Sequence, residues 1–348
     1  PQLNGRSTIM PGEQLIITYD QEKLGSFEVN GYGEPSISDD LLRKTLPYLT
    51  YVTPFTYGLT QSGSLVMLND NHMIDIAKEY DTAPLMHLST LTEKGNFDSA
   101  RASIVLNNQM IQDKLIDEII ENMNDKGYYG LDVDFEFINK QDAEKYAAFI
   151  SNLRSRLNPL GYEVITALAP KISAMQRGTI YEGHLYKEIG IASNAVFVMT
   201  YEWGYTYGPP MAVAPIGAVR RVVEFALTQM EPGKILLGFP NYAYDWTLPF
   251  TAGATRAQSI GNEAAPLLAA QYSAEIQFDE QAQTPYFTYQ DEAGQPHEVW
   301  FEDVRSAQAK FALLPEYGLL GLGYWNFMRP FTAGFSLQNY LFTASGLR

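Results

Sequence analysis

The chain has 348 residues, with 24 Lys and Arg against 40 Asp and Glu, which gives a formal net charge of −16. This balance argues against a nucleic-acid backbone as the partner, because such binding depends on basic contacts to phosphates, and it favours a neutral or zwitterionic ligand. Cysteine is absent, so disulfides, thiolate metal sites and cysteine nucleophiles are excluded. No apolar run reaches the roughly 20 residues needed to span a bilayer, and the residues from Pro1 onward do not form a signal peptide.

Short apolar runs alternate with amphipathic stretches along nearly the whole chain. Eight runs have the length and composition of buried strands and lie at residues 27–31, 51–55, 85–88, 130–137, 164–169, 195–200, 235–239 and 320–324. Helical periodicity between them is clearest at residues 109–124, 141–157, 212–229 and 303–314. This order predicts an α/β fold, a (β/α)8 TIM barrel, which needs about 250 residues.

The residues beyond that requirement fall into two segments. Residues 241–302 carry one helical piece at 262–271 and short strands at 274–278, 286–289 and 298–300, which predicts a small α+β insertion between the seventh and eighth strands. Residues 1–24 are expected to be an N-terminal arm or the remnant of another module. The catalytic barrel is then expected to comprise residues 25–240 and 303–348.

Three carboxylates stand at alternate positions of the predicted strand 130–137, namely Asp132, Asp134 and Glu136. Alternate strand residues share a face, and acids crowded on one face raise the pKa of at least one of them. In a barrel of this kind the carboxyl ends of the strands carry the chemistry, so Glu136 is expected at the mouth as a proton donor. A metal cluster or a structural polar layer is the alternative. No histidine neighbours this strand in sequence and the chain has four in all, which disfavours a transition metal; we expect neither a metal nor a cofactor.

This strand resembles the signature of glycoside hydrolase family 18, Asp-Gly-x-Asp-x-Asp-x-Glu on the fourth strand of a (β/α)8 barrel. Here the segment reads Tyr129-Gly130-Leu131-Asp132-Val133-Asp134-Phe135-Glu136. The resemblance implies that Glu136 protonates the glycosidic oxygen, that Asp134 orients the N-acetyl group of the substrate, and that Asp132 tunes Asp134. It also implies that the acetamido oxygen is the nucleophile, so that anomeric configuration is retained. Tyr129 replaces the first Asp of the motif and lies off the acidic face, so it is expected to affect only the support of the site.

The end of the sixth strand resembles another segment of the family, Met-x-Tyr-Asp/Asn. Here Met199 and Tyr201 match, and Glu202 stands where Asp or Asn is commoner. The resemblance implies that the Tyr201 hydroxyl binds the acetamido carbonyl and that Met199 and Glu202 contact substrate. A tyrosine bonded within the core is the alternative for Tyr201.

Four further residues at strand ends are candidate substrate contacts. Trp325 ends the last strand, where the family has a tryptophan that forms an apolar floor under the sugar; core packing is the alternative. Tyr32, after the first strand, and Asn241 and Tyr242, after the seventh, are subsite candidates that could equally be rim packing.

Longer runs at residues 199–210, 238–246 and 299–303 are similar to the spore-germination, cortex-lytic members of the family. That branch implies an N-acetylglucosaminidase that acts on the peptidoglycan of spore-forming bacteria, as a monomer, secreted and associated with the cell wall or spore. Residues 11–17 resemble the closing strand of a LysM wall-binding repeat. A chitinase or endo-N-acetylglucosaminidase shares every catalytic residue and stays open as an alternative. A non-hydrolytic sugar-binding protein is disfavoured, because such relatives usually lose the proton-donor Glu.

Overall fold

Eight parallel strands close into a barrel in the computed structural model, which describes residues 22–346. The predicted N-terminal remnant therefore lies almost entirely outside the described residues. The barrel strands are β1 Ser26–Gly33, β2 Tyr51–Pro54, β3 Ala83–Ser89, β4 Gly130–Asp134, β5 Glu163–Leu168, β6 Ala195–Val198, β7 Ile235–Pro240 and β8 Gly321–Trp325. Each strand pairs with the next, and β8 closes the ring by pairing in parallel with β1. The predicted (β/α)8 barrel is confirmed.

Helices cover the outside of the barrel and bury one face each against the strands, which are themselves buried along nearly their whole length. The longest helix, α4, shows how its limits are set: the Asn108 side chain accepts a hydrogen bond from the Ile111 amide, and Gly127 ends the helix in the left-handed region at φ 72°. The α-helices are α1 Asp39–Thr45, α2 Asn71–Lys78, α3 Ser99–Leu106, α4 Gln109–Lys126, α5 Ala143–Leu157, α6 Tyr186–Ala192, α7 Ile216–Leu227, α8 Ala264–Gln271, α9 Val304–Phe311, α10 Leu313–Tyr317 and α11 Thr332–Leu341. Short 3-10 turns lie at Leu46–Tyr48, Lys140–Asp142, Asn158–Leu160 and Pro232–Lys234. Within residues 22–346 no helix combines the length and apolar character that a bilayer crossing requires.

An antiparallel sheet with one helix, α8, is inserted between β7 and β8. Its strands in spatial order are Gln258–Ile260, Ala243–Thr247, Pro296–Trp300, Thr284–Gln290 and Gln277–Asp279. The sheet and α8 enclose a small core of their own that includes Phe287 and Val299. The sequence predicted the strands after α8 but not Ala243–Thr247 or Gln258–Ile260, which precede it. Two short pairings complete the fold: a hairpin of Gly58–Leu59 with Leu65–Val66, and Thr343–Ala344 beside the start of β1.

Several strand limits differ from those predicted, and two of the differences affect the site. β4 ends at Asp134 and not at residue 137, because its pairing with β5 stops at Val133 and its pairing with β3 stops at Asp134. Glu136 therefore follows the strand in the loop at the barrel mouth. β1 continues to Gly33, so Tyr32 lies within the strand and not after it.

Candidate active site

The acidic residues of β4 and its following loop occupy the centre and mouth of the barrel. Asp132 and Asp134 point to the same side of the strand, while Val133 and Phe135 face outward and are buried. Phe135 stacks on Tyr146 of α5, with ring centroids 5.7 Å apart. This outward packing fixes the backbone from which the carboxylates project.

Asp132 is the deepest of the three acids and is fully buried. Its Oδ2 accepts a hydrogen bond of 2.6 Å from the Tyr32 hydroxyl. Burial raises its pKa to about 7, and the hydrogen bond from Tyr32 acts in the opposite direction. Tyr32 is thus placed beneath the cleft as the partner of Asp132, and its ring also lines the cleft wall.

Asp134 lies two residues further along β4, nearer the barrel mouth, and lines the cleft. Its pKa is raised well above the ordinary value, first by burial and then by the negative charges of Glu136 and Asp132. Its Oδ1 is buried and accepts no hydrogen bond from residues 22–346. This carboxyl therefore has an unused acceptor position next to the place where a substrate would lie.

A histidine that is distant from β4 in sequence lies against these acids. His87 on β3 is in register with Asp132, and its Nε2 is 3.7 Å from Oδ2 of Asp134. Its Nδ1 lies 2.6 Å from the Thr56 hydroxyl. Burial lowers the pKa of His87 to about 3, so the ring is neutral near neutral pH. Sequence proximity does not reveal this contact, because neighbours across a parallel sheet are far apart in sequence, here 45 residues for His87 and Asp132.

Glu136 projects from the loop after β4 into the cleft. Its pKa is raised, first by burial and then by the negative charge of Glu202. Glu202 is held in turn by two tyrosines of the insertion: the hydroxyls of Tyr242 and Tyr244 donate to its Oε1 at 2.5 and 3.1 Å. Glu202 also adopts a left-handed backbone conformation, φ 69°, which costs a non-glycine residue on the order of 1 kcal/mol. Strain of this kind is concentrated at functional sites.

Tyr201 is buried beside the acids and lines the cleft. Its pKa is raised well above the ordinary value, first by burial and then by the charges of Asp134, Glu136 and Glu202. The hydroxyl therefore stays protonated and is available as a hydrogen-bond donor. Met199 lies two residues earlier on the same wall.

Half of the residues that line the cleft are aromatic, and the cleft has a volume of about 620 Å³. Trp325, at the end of β8, contacts the rings of Phe55 and Tyr32, with centroids 4.9 and 5.7 Å away. The aromatic lining residues are Tyr32, Phe55, Phe97, Phe137, Tyr181, Phe197, Tyr201, Trp203 and Trp325. A site that combines flat apolar walls with a few acids suits a sugar ring, which has apolar C–H faces and polar edges.

Two of the predicted substrate contacts do not line this cleft. The Asn241 side-chain amide donates to the backbone carbonyls of Asn326 and Arg329, both at 2.9 Å, and so ties the loop after β8 to the insertion. Tyr242 is buried behind the cleft wall, where its hydroxyl donates to Glu202 and its ring packs edge-on against Tyr201, with centroids 6.4 Å apart. Tyr129, just before β4, packs its ring against Tyr51 at 5.7 Å, away from the acidic face. Among the described residues no cluster of His, Asp and Glu has the arrangement of a metal site.

Several residues of the site were not identified from the sequence. His87 falls inside a predicted strand and Phe55 at the end of another. Both are near the carboxyl ends of barrel strands, so the strand pattern could have identified them as candidate site residues. Phe137 ends the predicted strand 130–137, whose period of two places it opposite the acids; that placement was wrong, because β4 ends at Asp134 and Phe137 lines the cleft with Glu136. Phe97 lies on a loop and Tyr244 on the insertion, where no periodicity marks them.

Comparison with known proteins identifies the family and the fold. The model for "Glycosyl hydrolases family 18" matches residues 46–329. The cortical fragment-lytic enzyme of Bacillus subtilis (strain 168) is 42% identical over 304 residues, which cover 86% of this chain and 70% of that protein. The crystal structure of the spore cortex-lytic enzyme SleL of Bacillus megaterium QM B1551 superimposes with a TM-score of 0.90 at 38% identity, covering 98% of this chain and 80% of the other. A chitinase from Chromobacterium violaceum ATCC 12472, 22% identical with a TM-score of 0.83 over 90% of this chain and 98% of its own, shares the fold.

Proposed function

The chain belongs to glycosyl hydrolase family 18, and on that premise we propose that it cleaves the β-1,4 linkage after N-acetylglucosamine in peptidoglycan, with spore cortex as its substrate. The observation that carries the proposal is that Asp132 is buried in the barrel centre while Asp134 and Glu136 line an aromatic cleft at the barrel mouth. The names of the relatives support the choice of cortex.

Glu136 acts first, as the general acid. Burial and the negative charge of Glu202 raise its pKa, so the carboxyl keeps its proton to a higher pH than an ordinary glutamate does. As the glycosidic bond breaks, this proton passes to the leaving oxygen, and the Glu136 carboxylate remains.

The nucleophile comes from the substrate. The carbonyl oxygen of the 2-acetamido group attacks the anomeric carbon from the face opposite the leaving group and forms an oxazolinium ion. Asp134, with its unused acceptor oxygen, would accept the acetamido N–H, and the Tyr201 hydroxyl would donate to the acetamido oxygen. Both contacts align the oxygen for attack, and Asp134, as the acceptor, stabilises the positive charge that develops on the oxazolinium ring.

Water then completes the reaction. The Glu136 carboxylate takes a proton from a water molecule, whose oxygen attacks the anomeric carbon as the oxazolinium ring opens. Two inversions give net retention of configuration. Asp132, ordered by Tyr32, lies below Asp134 and sets its charge state, while Trp325 provides an apolar floor for the sugar.

The expected localisation and oligomeric state are based on the same relatives. We expect a secreted, cell-wall-associated or spore-associated bacterial enzyme that acts as a monomer on peptidoglycan. Within residues 22–346 no helix is suited to cross a membrane.

Mass spectrometry of the products from purified cortex, vegetative peptidoglycan and chitin oligomers tests the substrate and the bond. We expect release from cortex with N-acetylglucosamine at the new reducing end. Muramic sugars at the new reducing end contradict the bond assignment, and faster turnover of chitin oligomers favours the chitinase alternative.

A thiazoline analogue of the oxazolinium ion tests the mechanism. It mimics the intermediate's ring and charge, so we expect competitive inhibition. Absence of inhibition at high concentration contradicts nucleophilic participation of the acetamido group.

A further inference from the structure

A buried histidine joins the carboxyl ends of β4 and β5. His184 lies in the loop after β5 and has no exposed surface. Its Nδ1 accepts a hydrogen bond of 2.9 Å from the Ala169 amide, and its Nε2 lies 3.0 Å from the carbonyl oxygen of Phe135. Because an amide N–H can only donate, Nδ1 carries no proton, and Nε2 therefore donates to Phe135. Burial lowers the pKa of His184 to about 4, which agrees with a neutral ring near neutral pH.

The imidazole occupies the position of a hydrogen bond that the two strands do not form. The pairing of β4 with β5 ends at Val133 with Thr166. In a longer parallel ladder of the same register, the Ala169 amide would donate directly to the Phe135 carbonyl. The histidine ring stands between this donor and this acceptor and bonds to both. The strands therefore separate here by the width of the ring, at the point where the chain enters the cleft.

The residue proposed as the proton donor begins at the same carbonyl. Phe135 and Glu136 share one peptide group, so a hydrogen bond to the Phe135 carbonyl orients the plane from which the Glu136 main chain continues. β4 ends one residue earlier, at Asp134, so the strand ladder does not orient this peptide. The contact from the histidine takes over at the residue where strand pairing stops.

The segment that carries the histidine is itself anchored. The buried Lys171 ammonium donates to the carbonyls of Tyr181 and His184, at 3.2 and 3.0 Å. Gly183 lies so close to the loop after β4 that an added Cβ would be 2.4 Å from the Ile138 carbonyl oxygen. The loops after β4 and β5 therefore pack backbone against backbone, and the histidine links them by hydrogen bonds.

We propose that His184 is a positioning residue: its Nε2–H orients the Phe135–Glu136 peptide so that the Glu136 carboxyl faces the glycosidic oxygen, an inference that rests on the proposed function. Proton transfer needs a heavy-atom distance of about 3 Å between the acid and the leaving oxygen. A glutamate whose main chain is free to turn at the end of a strand seldom meets that requirement. A misplacement of about 1 Å that begins away from the chemistry can lower a rate by about 100-fold.

Two variants at this one position separate orientation from packing. The amide nitrogen of a glutamine lies where Nε2 of the histidine lies, so His184→Gln keeps a donor for Phe135. The amide oxygen of an asparagine lies where Nδ1 lies, so His184→Asn keeps the acceptor for Ala169 and removes the donor. Both variants remove the ring, so a loss of packing alone affects both.

The leaving group reports whether the proton is delivered. Phenyl N-acetylglucosaminide releases a weak acid and depends on Glu136 to protonate the departing oxygen, whereas dinitrophenyl N-acetylglucosaminide releases a stable anion and needs little protonation. For His184→Asn, kcat/KM per folded molecule should fall by about 10- to 100-fold on the phenyl substrate and by less than about threefold on the dinitrophenyl substrate. For His184→Gln, both values should stay within about threefold of the unmodified enzyme. Thermal unfolding of each sample gives the folded fraction.

Three results overturn the inference: no loss in the Asn variant on the phenyl substrate, equal losses on the two substrates, or equal losses in the Asn and Gln variants. If His184→Asn does not fold, Gly183→Ala applies the same test, because its Cβ displaces the loop after β4 and leaves the histidine in place. It should lose activity on the phenyl substrate alone, and an equal loss on both substrates overturns the inference. Release of no sugar from cortex or from either aryl substrate by the unmodified enzyme overturns the proposed function itself.

Discussion

Glu302, at the end of the insertion, and Asp132, in the barrel centre, are both fully buried acids, but their surroundings differ. Glu302 accepts a hydrogen bond of 2.8 Å from Lys310 of α9, and both side chains are 1% exposed. Asp132 has the neutral Tyr32 hydroxyl as its partner, and no Lys or Arg forms an ion pair with it within residues 22–346. A buried carboxylate without a cation destabilises the fold. The fold thus gives the buried acid that joins its parts a cationic partner, whereas within residues 22–346 the acids of the proposed site pair with no Lys or Arg.

Glu136→Gln should separate catalysis from folding most clearly. The amide keeps the shape of the side chain but has no proton to give, so we expect kcat to fall by about 10³-fold. The thermal unfolding midpoint should stay within a few degrees, because Glu136 forms none of the ion pairs that hold the described fold together. A steady-state assay and a melting curve on the same sample measure both. Near-normal turnover would contradict the role of Glu136.

Lys310→Met should produce the opposite pattern. Removal of the cation leaves the Glu302 carboxylate buried and unpaired, which lowers the free energy of unfolding by about 3 kcal/mol. Chemical denaturation measures this loss, and activity per folded molecule should be unchanged. The double variant Lys310→Met with Glu302→Gln is the control, and it should recover most of the stability. A single variant as stable as the original would show that the ion pair contributes nothing.

Asp132→Asn should stabilise the protein, in a pH-dependent way. The folded pKa of Asp132, about 7, lies above its ordinary value of 3.8, so the folded state binds this proton more tightly than the unfolded state. The cost of ionising it grows as the pH rises from about 4 to 7 and is complete above pH 7. We expect the variant to gain about 1 kcal/mol in the free energy of unfolding at pH 8. The gain should be smaller at pH 5, and an equal gain at both pH values would contradict the assignment.

Glu202→Gln should shift the pH profile with little effect on stability. Glu136 must be protonated to act, so activity is lost as the pH rises through its pKa, which burial and the negative charge of Glu202 raise. Removal of that charge lowers the pKa of Glu136, and the alkaline limb of kcat/KM should move to lower pH. Glu202→Asp keeps the charge and serves as the control. An unmoved limb in the Gln variant would show that Glu202 does not act on the proton donor.

The sequence predicted the features that depend on local spacing. The period of two in β4 placed Asp132 and Asp134 on one face, and the alternation of apolar runs predicted the barrel. Features that depend on lateral contacts were missed: His87 reaches Asp134 through the register of β3 and β4, and Tyr244 reaches Glu202 from the insertion. The end of β4 was also misplaced, because pairing with the neighbouring strands, and not composition, determines where a strand stops.

The two tyrosines that hold Glu202 have a consequence for how this enzyme can be altered by evolution or by design. Tyr242 and Tyr244 lie at the start of the insertion, and their hydroxyls fix a carboxylate in the wall of the cleft. The insertion therefore contributes to the active-site cleft and cannot be exchanged without affecting it. In a chimaera, the corresponding segment of a relative would replace the insertion. Such a chimaera will keep the pH dependence of this enzyme only if the new segment also supplies both hydroxyls to Glu202.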